Sequence, residues 1–189
     1  RCENFKMTNA TISNNKGYHH IELGGVRGIN ITGCTFEGYT QGDKAGGNEA
    51  IQLDILHSDQ VFPDYEPFDD SLCCDVNISG NSFNNLSHGI GSHTAAYGFY
   101  YTNITITNNT FSNLSDQAVF ATNFQNSTIS GNTMTNVGAG VDFKYMDPEL
   151  AGKYSHAKDY PQVAKLALEE MVRQTGMPEF DSRGMMKRG

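Results

Sequence analysis

The stretch Val76-Asn77-Ile78-Ser79-Gly80-Asn81-Ser82-Phe83 decides the fold, because its pattern returns along the chain. The pattern is an apolar residue, Ile two positions later, Asn three after the Ile, and an aromatic or apolar residue two after the Asn. Successive Ile positions are 19, 47, 28 and 23 residues apart, so the 47-residue interval holds a long insertion. Such self-similarity indicates a repeat architecture. The other copies centre on Ile31, Ile106 and Ile129, with a weaker one around Ile12 and Asn15.

Each repeat also contains a second short apolar pair, and the alternation with period two predicts strands whose alternate residues face inward. Several short strands in a unit of roughly 20–28 residues are typical of one coil of a parallel β-helix. At its fixed turn position, Asn can bond the Asn of the next coil and tolerates left-handed backbone geometry. Cys34 takes that position in one copy and is predicted to be a buried thiol. The second pairs are Ile21/Leu23, Ile51/Leu53, Ile90/Ser92, Val119/Ala121 and Val141/Phe143.

The repeat resembles the right-handed parallel β-helix proteins of the pectin-lyase-like fold, over residues 1–146. The predicted fold is therefore all-β: a right-handed parallel β-helix of about five coils, followed by a C-terminal helical tail. An antiparallel β-sandwich is the alternative, and it is disfavoured because it would not repeat Asn at a fixed offset from Ile.

Stacking the second strands aligns their outward residues one level apart, at roughly 4.8 Å. With Ile21 and Leu23 facing inward, we expect a shallow groove in which Phe120 could stack on a sugar ring. The two predicted outward columns are Glu22, Gln52, Gly91, Phe120, Asp142 and Gly24, Asp54, His93, Thr122, Lys144.

Three residues of this face are the predicted catalytic groups: Asp54, His93 and Glu22. A carboxylate beside an imidazole forms an acid–base pair and raises the pKa of the His, so His93 would tune Asp54. The backbones of Glu22 and Asp54 would lie about 8 Å apart, within the carboxylate spacing of inverting glycosidases. Ordinary solvated strand positions are the alternative interpretation. For a lyase, His93 or His57 would abstract the proton and Lys144 would neutralise a uronate carboxylate.

Long insertions, residues 37–48 and 55–75, flank the same face, and such loops often carry binding functions. The six acidic residues from Asp59 to Asp75 match no EF-hand spacing, so a plain acidic loop is favoured over a calcium site. His57, His88 and His93 lack a zinc-ligand spacing. No metal and no cofactor are therefore predicted. The predicted substrate-binding residues are Gln52, His57, Phe120 and Lys144.

The composition changes sharply near residues 140–147. All 18 Asn lie in residues 1–136, and residues 137–189 contain none. We predict two units, residues 1–146 and 147–189. In the second unit, residues 161–175 are predicted to form a helix, with Pro161 in its first turn and Gly176 just after its C-terminal end. Such a helix could cap the last coil. Its apolar stripe needs a partner and consists of Val163, Leu166, Ala167 and Met171.

Residues 142–189 contain Asp142-Phe143-Lys144-Tyr145-Met146-Asp147 and, further on, residues 153–161, 169–176 and 187–189. These sequence segments resemble an internal stretch of radical S-adenosylmethionine proteins related to pyruvate formate-lyase activating enzyme. The resemblance suggests that the chain is a chimera of a β-helix protein and such a protein. The resemblance implies that Asp142 and Lys144 would lie near S-adenosylmethionine. The CxxxCxxC motif is missing, so no [4Fe–4S] cluster and no radical chemistry are expected.

The function indicated is an extracellular or cell-surface β-helix that binds or cleaves polysaccharide, as a glycosidase or a lyase. The resemblance to a fold with many polysaccharide-active members implies that partner. The alternatives are a non-catalytic structural or adhesion module, and an inactive radical S-adenosylmethionine fragment fused to a β-helix, whose tail would imply the cytoplasm. The sequence has 13 Lys+Arg against 21 Asp+Glu. This acidic balance argues against a nucleic-acid partner, and no apolar run reaches membrane-spanning length. The oligomeric state is left open.

Overall fold

The structure is a computed structural model, and it describes residues 2–39, 48–56, 71–92 and 100–144. Within these ranges the regular elements are strands. The predicted tail, residues 147–189, with its helix over 161–175, lies outside them, as do His57 and His93. The strands are β1 (Glu3–Thr8), β2 (Thr11–Asn15), β3 (Ile21–Gly24), β4 (Arg27–Thr32), β5 (Thr35–Tyr39), β6 (Glu49–Leu56), β7 (Ser71–Leu72), β8 (Cys74–Ser79), β9 (Ser82–Leu86), β10 (His88–Ser92), β11 (Tyr101–Thr107), β12 (Thr110–Thr122), β13 (Phe124–Gln125), β14 (Thr128–Ser130) and β15 (Thr133–Lys144).

The strands form two curled sheets in which successive repeats lie side by side. The first sheet has the order β1-β4-β8-β11-β13, with β14 also on β11. The second follows β2-β5-β9-β12-β10-β6-β3, with β15 on β12 and β7 on β6. Every pair is parallel except β6–β7. Because β12 is long, its first part pairs with β9 and its later part with β10, so the strand runs along two faces of the β-helix. The similarly long β15 follows β12 along both faces. The predicted all-β parallel β-helix is confirmed at this level, while its handedness, coil number and helical tail stay predictions.

The repeat pattern gave the strand register correctly from the second copy onward. Ile31 pairs with Ile78, Ile78 with Ile106, and Ile106 with Ile129. The first copy was placed wrongly around Ile12. Met7 is the partner of Ile31, and Ile12 is the partner of Phe36. Met, Ala and Ile replace the usual Ile, Asn and aromatic residue there, so the pattern was hidden.

The repeated Asn forms an inner asparagine ladder of Asn81, Asn109 and Asn132 between neighbouring levels. The Nδ2 of Asn81 donates to Oδ1 of Asn109 at 3.0 Å, and the Nδ2 of Asn109 donates to Oδ1 of Asn132 at 3.0 Å. Asn81 also donates to the carbonyl of Ile31. The backbone N–H of Cys34, at the end of the ladder, donates to Oδ1 of Asn81. The predicted amide-to-amide bonding and the buried Cys34 thiol are confirmed.

The ladder Asn residues do not use the left-handed geometry that Asn tolerates, because the residue before each of them takes that conformation. Gly80, Asn108 and Gly131 have φ of 65°, 55° and 65°. In each level, three positions spaced by five residues take this conformation, and at these positions the residue is always Asn, Gly or Asp, the types that tolerate positive φ. The three sets are Asn4, Gly28, Asp75, Asn103, Asn126; then Asn9, Gly33, Gly80, Asn108, Gly131; then Asn14, Gly38, Asn85, Asn113, Asn136.

Inward side chains fill the centre of the coils with aliphatic residues and a stack of rings. Phe83 lies between Phe36 and Phe111, with ring centroids 5.0 Å and 4.8 Å away and nearly parallel planes. These three residues occupy the aromatic position of the repeat, and all are fully buried. The third face, made by β3, β6, β10 and the later halves of β12 and β15, packs against this core.

Two ionisable side chains in the core make the fold sensitive to alkali. Burial raises the pKa of Cys73 from 9.0 to about 11, and burial raises the pKa of Tyr101 well above 10.0. The unfolded chain ionises at the lower pH, so stability is fully present below about pH 9 and is lost as the pH rises through 11. For Cys73 alone we expect a loss of about 2–3 kcal/mol. Urea unfolding at pH 8 and pH 11 measures it. An equally steep loss in the Cys73→Ala, Tyr101→Phe double variant would contradict the assignment.

Candidate functional site

The candidate site lies on the third face, whose strand register matches the first predicted column. Glu22 pairs with Gln52, Gln52 with Gly91, Gly91 with Phe120, and Phe120 with Asp142. The parallel ladder therefore places these five residues on successive levels. This placement follows from the repeat, because a shift by one residue would turn Leu53 and Val119 out of the core.

The two proposed carboxylates occupy the predicted relative positions. Gly24 pairs with Asp54 and Glu22 with Gln52, so Glu22 and Asp54 are one level and two residues apart. Glu22 is exposed and Asp54 is partly exposed. Both carboxylates can therefore meet a ligand from solvent.

Gln52 differs from the expectation of an open outward position. Gln52 is only 2% exposed, and its side-chain amide nitrogen, Nε2, donates a hydrogen bond to Oδ2 of Asp54 at 3.0 Å. The contact fixes the orientation of the Asp54 carboxylate. Gln52 is thus placed to hold Asp54. Thr122, in the second predicted column, is also buried.

Phe120 and Asp142 lie on the partly exposed section of the same face. The neighbour of Phe120 on β10 is Gly91, where an added Cβ would lie 3.0 Å from the Cβ of Phe120 and 2.8 Å from Cγ of Glu49. A side chain at position 91 would therefore displace one of these neighbours. Glycine at position 91 therefore leaves the room that Glu49 and Phe120 occupy.

The side chains of three predicted site residues lie outside the part of the chain that the structure describes. His57 and His93 lie outside the described residues, and so does the side chain of Lys144, although its backbone pairs with Thr122. Their roles stay predictions. That Asp142 and Lys144 would lie near S-adenosylmethionine also stays a prediction.

The sequence reasoning missed a buried polar group at the start of the third face. Glu49 is 2% exposed, and Nδ1 of His19 lies 2.9 Å from its backbone oxygen and 3.6 Å from Oε2. Because a carbonyl only accepts, Nδ1 of His19 carries the proton. His88 pairs with Glu49 in the ladder, and its Nε2 lies 3.8 Å from Oδ2 of Asp116. The signal available in the sequence was that Glu49 and His88 each stand two residues before an apolar residue of the second strand pair, Ile51 and Ile90.

One family model matches the chain. It is described as "NosD: Periplasmic copper-binding protein (NosD)" and covers residues 65–150, which is under half of the sequence. The matched range includes β7 to β15. No curated protein and no solved structure matches significantly. The match supports the β-helix assignment.

The copper in that family's description prompts a test of fit. Copper prefers imidazole and sulfur ligands. In the described ranges, no group of three or more His, Cys, Asp and Glu side chains could hold a metal ion. These residues therefore do not fit a copper site. The same part of the chain has no helix long and apolar enough to span a membrane.

Proposed function

We propose that the chain is a right-handed β-helix of about five coils, belonging to an exported or cell-surface protein, and that its third face binds polysaccharide. The similarity to a family described as periplasmic supports export. The register that places Phe120 and Asp142 on neighbouring levels, with Glu22 three levels from Phe120 in the same column, is the observation that carries the proposal. It creates an extended surface with carboxylates and an aromatic side chain.

The chemistry of this surface suits a sugar chain. The apolar face of a sugar ring packs on an aromatic side chain, and carboxylates accept hydrogen bonds from hydroxyl groups. Neighbouring levels of the parallel ladder lie about 4.8 Å apart, so Phe120 and Asp142 can contact adjacent parts of one sugar chain. Asp54, fixed by Gln52, adds an oriented acceptor at one side.

Binding is tested with the full chain and a panel of insoluble and soluble polysaccharides, by sedimentation depletion and affinity electrophoresis. Phe120→Ala should weaken binding at least 10-fold, because the stacking platform is lost. Phe120→Tyr keeps the ring and is the matched control, with binding within 3-fold of the parent. Equal binding by parent and Phe120→Ala would reject the third face as the binding surface. No binding to any member of the panel would reject the proposal, leaving the structural or adhesion module.

Cleavage is the catalytic extension of the same proposal, and the carboxylate spacing supports it. Asp54 and Glu22 would act as the acid and base of a hydrolase with a water between them. Release of reducing ends should fall at least 100-fold in Asp54→Asn. Undiminished release in that variant would exclude a hydrolase that uses Asp54. Unsaturated uronate absorbance, instead, would indicate the lyase with His93 or His57 as base.

A further inference from the structure

The last described strand leaves an apolar end on the β-helix. Inward positions of β15 follow buried residues of β12: Val141 pairs with Val119, and Phe143 with Ala121. Val119 and Ala121 are buried, but Val141 is 37% exposed and Phe143 is 58% exposed. Met134, which follows Phe111 at the end of the ring stack, is 36% exposed. We call Met134, Val141 and Phe143 the open end.

These residues occupy inward positions, and among the described residues no further strand pairs with β15 beyond them. An uncovered end of parallel strands presents both apolar side chains and backbone groups for pairing, and proteins usually cover such edges with a helix or loop. A cluster of exposed inward-facing residues therefore marks an interaction surface and not a solvated face.

We infer that residues 161–175 of this same chain form an amphipathic helix that covers the open end. Three features of the sequence support this occupant. The chain passes from β15 directly into residues 145–189, so the segment is tethered beside the surface. Its apolar stripe, which includes Val163, Leu166 and Met171, has the spacing of one helix face. A lone helix of this length is marginal in water and requires a packing partner.

The lengths are compatible with this arrangement. Fifteen helical residues span about 22 Å, close to the roughly 17–20 Å of a strand of five or six residues. Residues 145–160, when extended, reach about 50 Å. The helix can therefore lie across the end of the coil in either direction. The inference is independent of the polysaccharide proposal, since it concerns the end of the β-helix and not its third face.

A single tryptophan reports directly on the covering, because the sequence has no Trp. In the full-length Phe143→Trp protein, the emission should be blue-shifted and acrylamide quenching several-fold weaker than for a free tryptophan analogue. Adding Leu166→Glu should shift the emission to the red and raise quenching at least 2-fold. Lys165→Glu, on the opposite side of the helix, is the matched control and should leave both unchanged. Circular dichroism checks that the β-sheet is retained in each protein.

Three results would overturn the inference. Solvent-like emission of the Phe143→Trp parent would show that the end is uncovered. A blue shift that disappears on dilution would assign the covering to a second copy of the chain. Emission unaltered by Leu166→Glu in a folded protein would show that another segment covers Phe143.

Discussion

Asn109→Ala should lower the free energy of unfolding by about 3 kcal/mol or more. Asn109 is 1% exposed and sits in the middle of the inner asparagine ladder. Its Oδ1 accepts from the backbone N–H and the Nδ2 of Asn81, and its Nδ2 donates to the carbonyl of Ile78. Alanine removes these contacts together and leaves buried polar groups on two neighbouring levels without partners, each costing about 1–3 kcal/mol.

Urea unfolding followed by circular dichroism measures the loss. Asn108→Gly is the matched control, because Asn108 has φ of 55° and the equivalent residues Gly80 and Gly131 are glycine. We expect this neighbouring change to stay within about 0.5 kcal/mol. Similar losses in both variants would mean that the ladder contributes nothing specific.

Phe83→Ala should have the other large effect, a loss of about 3–5 kcal/mol. Its ring lies between those of Phe36 and Phe111, at 5.0 Å and 4.8 Å, and is fully buried. Truncation removes both ring contacts and leaves a cavity that the rigid coils above and below cannot close. Thermal and urea unfolding should both report the loss.

Phe83→Leu separates the cavity from the ring stacking, because it retains most of the volume. We expect this variant to lose less than half as much as Phe83→Ala. A Phe83→Ala protein as stable as the parent would show that the ring stack does not hold neighbouring coils together.

Much of the candidate site followed from the sequence, because strand pairing in a parallel β-helix is set by the repeat. The order Glu22, Gln52, Gly91, Phe120, Asp142 followed from aligning the second apolar pair of each repeat, which keeps the inward residues in the core. The first coil was misread because Met7 and Ala10 lack the branched and amide side chains on which the pattern depends.

The sequence by itself determined the fold class and the residues that share a level, since apolar alternation and repeat spacing are local properties of the chain. Only the tertiary structure decided which outward residues meet solvent. Gln52 and Glu49 are buried although their positions read as outward or as strand ends, while Phe143 is exposed although its position reads as inward. Burial depends on what packs against each position from elsewhere, and a linear pattern does not contain that information.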